Sequence, residues 1–419
     1  MTRAHAATPE HPGHARGSTA YRRLLGALVL AGVATFAQLY SPQGVLPQIA
    51  ADLGTTADRA ALAVSAATLG LALAVVPWSF VGDRYGRLRA MVAAVVGATV
   101  LGLASAWAPT FELVLLLRLL EGAFLGGVPA LAMAYLNDEV DARSASVAAG
   151  WFVGGTTIGG LLGRVVATPV ADVSSWRVGM TAVSAMAAVA AVGFVVLAPR
   201  ERRFVRLRGE TLTGRTRRVL TNLRDRALVG LYLTAFLLMG GFVAVYNYLA
   251  FRLGAAPYLL PAWAVGLVFL AYLAGTVSAP RAGVLAARHG RYAVLVASVL
   301  VMLAGLLTTL AGPLWLVLLG LLVMTAGFFG AHSVASGWAG ARAVTARAQS
   351  TGLYNLAYYG GSSLLGWAGG LAFEGAGWGG VVGFVGGAAV VALLVLWLLV
   401  RDPGSVTTTD PRRGGEEHP

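Results

Sequence analysis

The sequence contains no cysteine, which excludes disulfides and thiolate metal sites. It contains no lysine either, so all 31 basic residues are arginine. Neither a Walker A lysine nor a Schiff base can be built from it. A pump driven by ATP would need its motor on another chain. Charge of either sign is scarce: 12% of residues are charged, against roughly 25% in a soluble domain. Hydrophobic residues make up 57% of the chain, and the mean hydropathy is +0.73. These values exclude an ordinary soluble domain and predict a polytopic membrane protein. No hydrolase set is visible. His289 and His332, the histidines outside the tails, lack metal-ligand spacing. Gly360-Gly-Ser-Ser does not fit a nucleophile elbow. An enzyme is not expected, and neither is a metal or a cofactor.

What is present is a set of long apolar runs. A membrane span needs about 20 predominantly apolar residues. Twelve fit: Leu24–Ala50, Ala60–Val81, Leu88–Ala108, Phe111–Leu136, Ser144–Val170, Trp176–Ala198, Ala227–Leu253, Leu260–Ala279, Tyr292–Ala311, Leu314–Trp338, Gln349–Glu374 and Gly377–Val400. Arg22-Arg23 before the first run resembles a secretion signal, but eleven further runs make it a first span. The fold class expected is an all-α membrane protein, twelve transmembrane helices in two pseudo-symmetric six-helix bundles. The divisions expected are a disordered tail over 1–20, a first bundle over 21–198, an Arg-rich linker over 199–226, a second bundle over 227–401, and a tail over 402–419.

The repeat is written in polar turns. Ser79 to Arg89 is a short Arg-rich turn between apolar runs, and Gly283 to Tyr292 is its second copy. Gly86 and Gly290 stand 204 positions apart, and so do Arg143 and Arg347. Two unrelated markers at one offset indicate two copies of one membrane bundle.

The formal charge of +13 could suggest nucleic acid. Its distribution points elsewhere. Arg59, Arg177 and Arg252 fall on one side of the membrane, and Arg118 and Arg164 within spans. Every other arginine falls on the side of the two termini. The positive-inside rule makes that side cytoplasmic. Anionic lipid, not nucleic acid, is then the expected neighbour of this charge.

A few polar residues interrupt the runs. In the fourth, Arg118 and Glu121 are three apart on one helix face. Charges at this depth pair with each other or face a cavity. They are candidates for proton coupling, with a neutralised structural pair as the alternative. The fifth run carries Gly155, Gly159 and Gly163, a smooth face for helix contact, and then Arg164. Arg164 lines a cavity or pairs with Glu121; the sequence leaves both open. Between Ala227 and Val400 the only acid is Glu374. A proton-binding carboxylate therefore belongs to the first half. The second half offers Tyr246, Asn247, Tyr248, His332, Tyr354, Asn355, Tyr358 and Tyr359. Aromatic rings and amides suit an uncharged or amphipathic ligand, although tyrosines also serve packing and interface anchoring. His332 is a candidate proton acceptor, or a satisfied structural histidine.

These residues resemble the major facilitator superfamily. Asp83-Arg84-Tyr85-Gly86-Arg87-Leu88-Arg89 is similar to its signature between spans two and three, with Ser79 in place of a usual Gly. The second copy, with Gly290 and Arg291, has Ala287 in place of the acid. Arg118-Leu-Leu-Glu121-Gly122 resembles the span-four motif of proton-coupled exporters, with Glu where Gln is common. The span-five run resembles their antiporter motif, with Gly160 for its usual Pro. Tyr40-Ser-Pro-Gln43, Gly163-Arg164, Tyr246-Asn247-Tyr248, Ala331-His332 and Tyr358-Tyr359 together resemble bacterial inner-membrane transporters of an arabinose-type sugar or drug exporter branch.

The resemblance implies a monomeric secondary transporter in the plasma membrane, multi-pass with both termini cytoplasmic. It implies alternating access, protons as coupling partner, and efflux of a drug-like or sugar-like compound by antiport. It also implies a gating set of Asp83, Arg84, Gly86, Arg87, Asp138, Gly290 and Arg291. Asp83 would meet the start of span eleven, and Arg87 would pair with Asp138. The substrate-cavity candidates are Tyr40, Gln43, Arg164, Tyr246, Asn247, Tyr354, Asn355 and Tyr358. A facilitator or importer of a small polar solute is the alternative within the class. A membrane receptor or assembly subunit that does not transport is the alternative outside it.

Overall fold

A computed structural model describes residues 13–141, 144–202, 219–343 and 347–401. Among the described residues ten helices are long and apolar enough to cross a membrane. The last of them, Gln349–Val400, is two spans. Ala376 (φ −142°) and Gly377 (φ +58°) break its helical geometry. Ala145–Val173, 29 residues long, is the remaining span. The total of twelve agrees with the sequence.

Several spans are longer than the apolar runs suggest or are internally broken. Span one is three pieces: a helix Thr19–Leu39, a tight turn Ser41–Gly44, and a helix Leu46–Asp52. Pro42 and Pro47 lack the amide hydrogens that would continue one helix through them. Span two is Ala57–Tyr85 and span three Arg87–Ala106. Between them Gly86 adopts φ +99°, a conformation that favours glycine. Span four, Phe111–Glu139, runs as Phe111–Leu125 and Gly127–Glu139 about Gly126. The indole of Trp78 donates to the carbonyl of Ala123 at 2.7 Å, three residues before Gly126. Span six is Trp176–Leu197 and span seven Arg226–Gly254. Span eight, Ala262–His289, tightens over Phe269–Tyr272. Spans nine and ten are Arg291–Thr308 and Leu314–Arg342.

Helices in lipid gain little from hydrophobic segregation, so they associate where small residues permit close approach. Gly155, Gly159 and Gly163 of span five rest on the backbone of Val29, Val33 and Ala37 of span one. Gly361 of span eleven rests on Phe236 of span seven in the same way. A β-carbon added at any of these would overlap main-chain atoms. The glycine spacing seen in the sequence is therefore a packing device.

The two bundles meet through spans two and eleven and through spans five and eight. The face carrying most arginines is called here the Arg-rich face and the other the Arg-poor face. Buried apolar side chains form two clusters. One joins the second bundle to the Arg-poor half of the first, through residues such as Leu46, Leu71, Leu125 and Phe269. The other, with Tyr21, Met91, Leu131, Tyr135 and Phe194, fills the Arg-rich half of the first bundle alone.

Two expectations change at the Arg-rich face. Residues 1–12 lie outside the described residues, but the loose tail does not extend to residue 20. The amide of His14 donates to the carbonyl of Glu139 at 2.7 Å, and Ser18 caps span one. The linker residues 203–218 lie outside the described residues. Its first residues dock on the first bundle: one carboxylate oxygen of Glu201 accepts from the amides of Arg87 at 2.6 Å and Leu88 at 3.0 Å. An acid at a helix start satisfies otherwise unpaired amides, so the linker begins by capping span three.

Candidate functional site

The polar residues of the first bundle gather around the break in span one. That break leaves the carbonyls of Gln38 and Leu39 without helical partners. Arg118 fills the gap. It donates to the carbonyls of Gln38 at 3.1 Å, Leu39 at 2.6 Å and Ala63 at 3.0 Å. It also donates to Glu121 Oε2 at 2.7 Å. Both side chains are buried at 0% and 1% exposure. The pair thus tethers span four to the hinge of span one and the second turn of span two.

The other carboxylate oxygen of Glu121 faces Gly102. A methyl on Gly102 would lie 3.0 Å from Glu121 Oε1, 2.8 Å from Gln38 Oε1 and 3.1 Å from Ser184 Oγ. Gln38 uses its amide nitrogen on the carbonyl of Ala34 at 2.9 Å and on Thr99 at 3.4 Å. Its amide oxygen is buried with no hydrogen-bond donor. Sequence reading passed over Gln38, although a lone amide inside an apolar run is the signal that flagged Asn247.

Arg164 does not meet Glu121. It sits at the join between the bundles, 1% exposed. Its Nε donates to Gln43 Oε1 at 2.7 Å, and one terminal nitrogen donates to the Tyr272 hydroxyl at 3.1 Å. The other donates to the carbonyl of Gly160. Its guanidinium carbon lies 4.5 Å over the Tyr40 ring, 4.5 Å over Tyr272 and 5.2 Å over Phe269. Gln43 continues the chain by donating to Asn247 Oδ1 at 2.7 Å, and Asn247 donates to the carbonyl of Gly366. Gln43 and Asn247 are 204 positions apart. They are equivalent residues of the two halves, so the bridge lies at the pseudo-twofold axis. The tight turn Ser41–Gly44 presents Gln43, and the tightened segment Phe269–Tyr272 presents Tyr272. Tyr272 was not among the residues flagged by sequence.

The second bundle adds an aromatic wall. Phe242 stacks on Phe328 at 4.0 Å between ring centres, and Tyr246 lies 4.7 Å from Tyr272. The Tyr246 hydroxyl is 2.8 Å from Thr325 Oγ1. Nearer the Arg-rich face, His332 Nδ1 is 3.0 Å from the Tyr354 hydroxyl, and its ring lies 4.7 Å from Tyr358. A narrow pocket there is walled by Leu238, Phe328, His332, Tyr354 and Tyr358. Asn355 stands apart: it is half-exposed and has no side-chain hydrogen bond among the described residues.

Five hydrogen bonds between described residues join the bundles in the Arg-poor half. Besides Gln43–Asn247 and Arg164–Tyr272, Ser363 donates to the carbonyl of Ser65 at 2.8 Å. At the rim, Glu374 Oε1 accepts from the amide of Ala57 at 2.9 Å. Asp172 Oδ1 accepts from the amide of Ala262 at 3.1 Å. These are one contact made twice: the end of span eleven caps span two, and the end of span five caps span eight.

At the Arg-rich face Arg87 pairs with Asp138 and donates to the carbonyl of Ala134 at 2.9 Å. The Arg84 guanidinium lies over the Tyr85 ring. Gly290, at φ +87°, precedes Arg291 as Gly86 precedes Arg87. The contact expected between Asp83 and the start of span eleven falls beside 344–346, which lie outside the described residues.

Comparison with known proteins agrees with this architecture. Residues 28–277 match the family description "Major Facilitator Superfamily". The chain is 39% identical to the inner membrane transport protein YnfM of Escherichia coli K12, over 91% of each chain. It is 35% identical to the uncharacterized MFS-type transporter YybF of Bacillus subtilis 168, over 95% of this chain and 97% of that one. Its fold is similar to that of the xylose transporter XylE from E. coli, with a TM-score of 0.74 at 15% identity, covering 92% of this chain and 99% of that one. The nucleoside transporter NupG gives 0.73 at 15% identity, covering 90% and 100%. A multi-pass helical chain with this repeat, this family match and these relatives is a transporter and not an enzyme, and it belongs to the major facilitator superfamily.

Proposed function

We propose that this transporter is a proton-coupled exporter of a small solute, sugar-like or drug-like, with Glu121 as the coupling acid. The observation that carries this reading is the buried amide oxygen of Gln38, which has no donor and faces the Glu121 carboxylate across Gly102. A deprotonated Glu121 leaves two acceptors facing each other. A protonated one can donate to Gln38, whose oxygen otherwise has no donor. Protonation also weakens the charge that holds Arg118, and Arg118 binds the hinge of span one. Five residues beyond Gln38 on that span is Gln43, part of the bridge between the bundles. Proton binding and the bundle interface thus share one element with two arrangements.

The solute binds between the bundles, against the aromatic wall and the Arg164–Gln43–Asn247 chain. His332, Tyr354 and Tyr358 line its route toward the Arg-rich face. The chain works as a monomer in a bacterial-type inner membrane, with the Arg-rich face and both termini cytoplasmic. The contacts in the Arg-poor half support a state closed toward the outside. Asp83, Arg84, Gly86, Arg87, Asp138, Gly290 and Arg291 form the opposite gate.

Infrared difference spectroscopy tests the coupling acid without a known substrate. Titrating the purified protein across about pH 5 to pH 9 is expected to reveal a carboxyl carbonyl band that Glu121→Gln abolishes. The variant should also lose solute accumulation driven by a pH gradient in proteoliposomes, while exchange at equal pH persists. Uphill transport by Glu121→Gln at the parent rate refutes the assignment. Orientation is tested independently, since the chain has no cysteine. A cysteine at Gly312, between spans nine and ten, should react with an impermeant thiol reagent in intact cells.

A further inference from the structure

Among the described residues two arginines are buried in this membrane domain, and only one of them has its counter-charge. Arg118 is paired with Glu121 at 2.7 Å. Arg164 touches only neutral groups: the amide oxygen of Gln43, the carbonyl of Gly160, the hydroxyl of Tyr272, and the faces of Tyr40, Tyr272 and Phe269. Among the described residues no carboxylate lies within ion-pair distance of it. Moving a cation out of water is costly unless an opposite charge meets it. Ring faces and neutral oxygens compensate in part. The second bundle holds no acid near this depth, since its only carboxylate within a span is Glu374 at the rim.

We propose that the counter-charge comes from the cargo: the transported solute is an organic anion, a carboxylate on a flat apolar body, and Arg164 is the residue that binds the carboxylate. This rests on the reading that the solute binds between the bundles. The chemistry of each part fits. A guanidinium presents parallel donors that match a carboxylate in bidentate fashion. Tyr40, Tyr272 and Phe269 already surround the cation, and Phe242 and Tyr246 extend the aromatic surface. Rings in this arrangement cover the flat apolar body of such an anion.

The same geometry connects binding to movement. Gln43 Oε1 accepts from Arg164 while Gln43 Nε2 donates to Asn247 across the bundle interface. A carboxylate that takes the Arg164 fork displaces Gln43 Oε1. That removes one end of the chain Arg164–Gln43–Asn247 and loosens the bridge on the pseudo-twofold axis. An anion therefore competes with the closed interface, whereas a neutral analogue of the same shape does not.

The test is thermal unfolding of the purified full chain at one fixed pH with matched probes. These are 4-hydroxybenzoate against 4-hydroxybenzamide, phenylacetate against phenylacetamide, benzylamine as a cation, and L-arabinose as a neutral sugar. The acids are expected to raise Tm in a saturable way, and the amides, benzylamine and arabinose are not. Arg164→Lys keeps the charge but loses the planar fork, so acid affinity should fall by about tenfold or more. Gln43→Ala removes the internal competitor, so acid affinity should rise. A purely structural Arg164 would not produce that increase. If Arg164→Lys does not fold, the Gln43→Ala comparison decides. The proposal is overturned if amides or arabinose stabilise as well as the acids, or if no acid shifts Tm. It is also overturned if Gln43→Ala leaves acid affinity unchanged or lowered. No pH gradient enters this assay, so its failure leaves the Glu121 titration standing, and failure of that titration leaves anion binding standing.

Discussion

The two bundles repeat one backbone and carry different chemistry. Offsetting the first half by 204 positions, as Gln43 and Asn247 are offset, brings Glu121 onto Thr325 and Asp138 onto Arg342. In the first bundle Glu121 is buried against Arg118. In the second, Thr325 meets the Tyr246 hydroxyl at 2.8 Å. Asp138 takes Arg87 within the first bundle, whereas Arg342 takes Asp225 within the second at 2.8 Å. The interior of the first bundle is held by a charge pair, and that of the second by stacked rings around Phe242 and Phe328. Duplication preserves helix packing, which depends on small residues and lengths. It does not preserve polar partners, which need only one complementary group nearby. One bundle can therefore carry a buried charge pair and the other an apolar surface.

The largest break in this contrast comes from Arg118→Gln. It leaves Glu121 buried without its cation and the Leu39 carbonyl without its donor, while the Gln38 carbonyl keeps the Ser41 hydroxyl at 3.0 Å. The cost should be about 3–5 kcal/mol, as for breaking a buried pair from one side. The equivalent test in the second bundle, Thr325→Val, removes one neutral hydrogen bond and should cost about 1 kcal/mol. Thermal unfolding of the detergent-solubilised variants measures both. Equal losses would remove the contrast between the bundles.

Phe242→Ala tests the aromatic side. Its ring touches Phe328, Tyr246, Tyr272 and Phe329. Truncation should cost on the order of 3 kcal/mol by opening a cavity. The loss should be recovered in part by Phe242→Leu, which refills most of the volume.

Gly86→Ala and Gly290→Ala compare two equivalent turns. Both residues have positive φ, +99° and +87°, with ψ near +143° and +145°, so each alanine should cost about 1–3 kcal/mol in backbone strain. A β-carbon at Gly86 also lies 2.6 Å from a carboxylate oxygen of Glu201, while at Gly290 it meets nothing within 4 Å. Gly86→Ala should therefore be the more harmful, and Gly86→Ala with Glu201→Ala should match Gly290→Ala more closely once the lost cap is counted.

The smallest effects belong to the two rim caps. Glu374→Gln and Asp172→Asn each remove a carboxylate from a helix start at the Arg-poor face, worth roughly 0.3–1 kcal/mol for exposed groups. Such losses leave folding intact but change a balanced conformational equilibrium several-fold. Spin-label distances across that face should broaden toward longer values in each variant and more so in the double variant. Unchanged distances in the double variant would mean that the caps do not hold the face closed.

Much of this protein was readable from its residues. Twelve apolar runs of adequate length and an arginine count by side require a twelve-span chain, because lipid accepts few other arrangements of backbone. The 204-residue offset required two copies of one bundle, and the spacing of Gly155, Gly159 and Gly163 required a close helix contact. Arg118 and Glu121 were visible as a pair because they are one turn apart on one helix. The partners of Arg164 were not visible, since Gln43 and Tyr272 are 121 and 108 positions away and nothing local distinguishes them. Nor did the sequence show that Glu374 and Asp172 cap helices of the opposite bundle. Helix length, sidedness and neighbour spacing are properties of the chain itself. Which oxygen meets which nitrogen across two bundles depends on how the breaks at Pro42, Pro47 and Phe269–Tyr272 turn their side chains, and that is decided only when the helices pack.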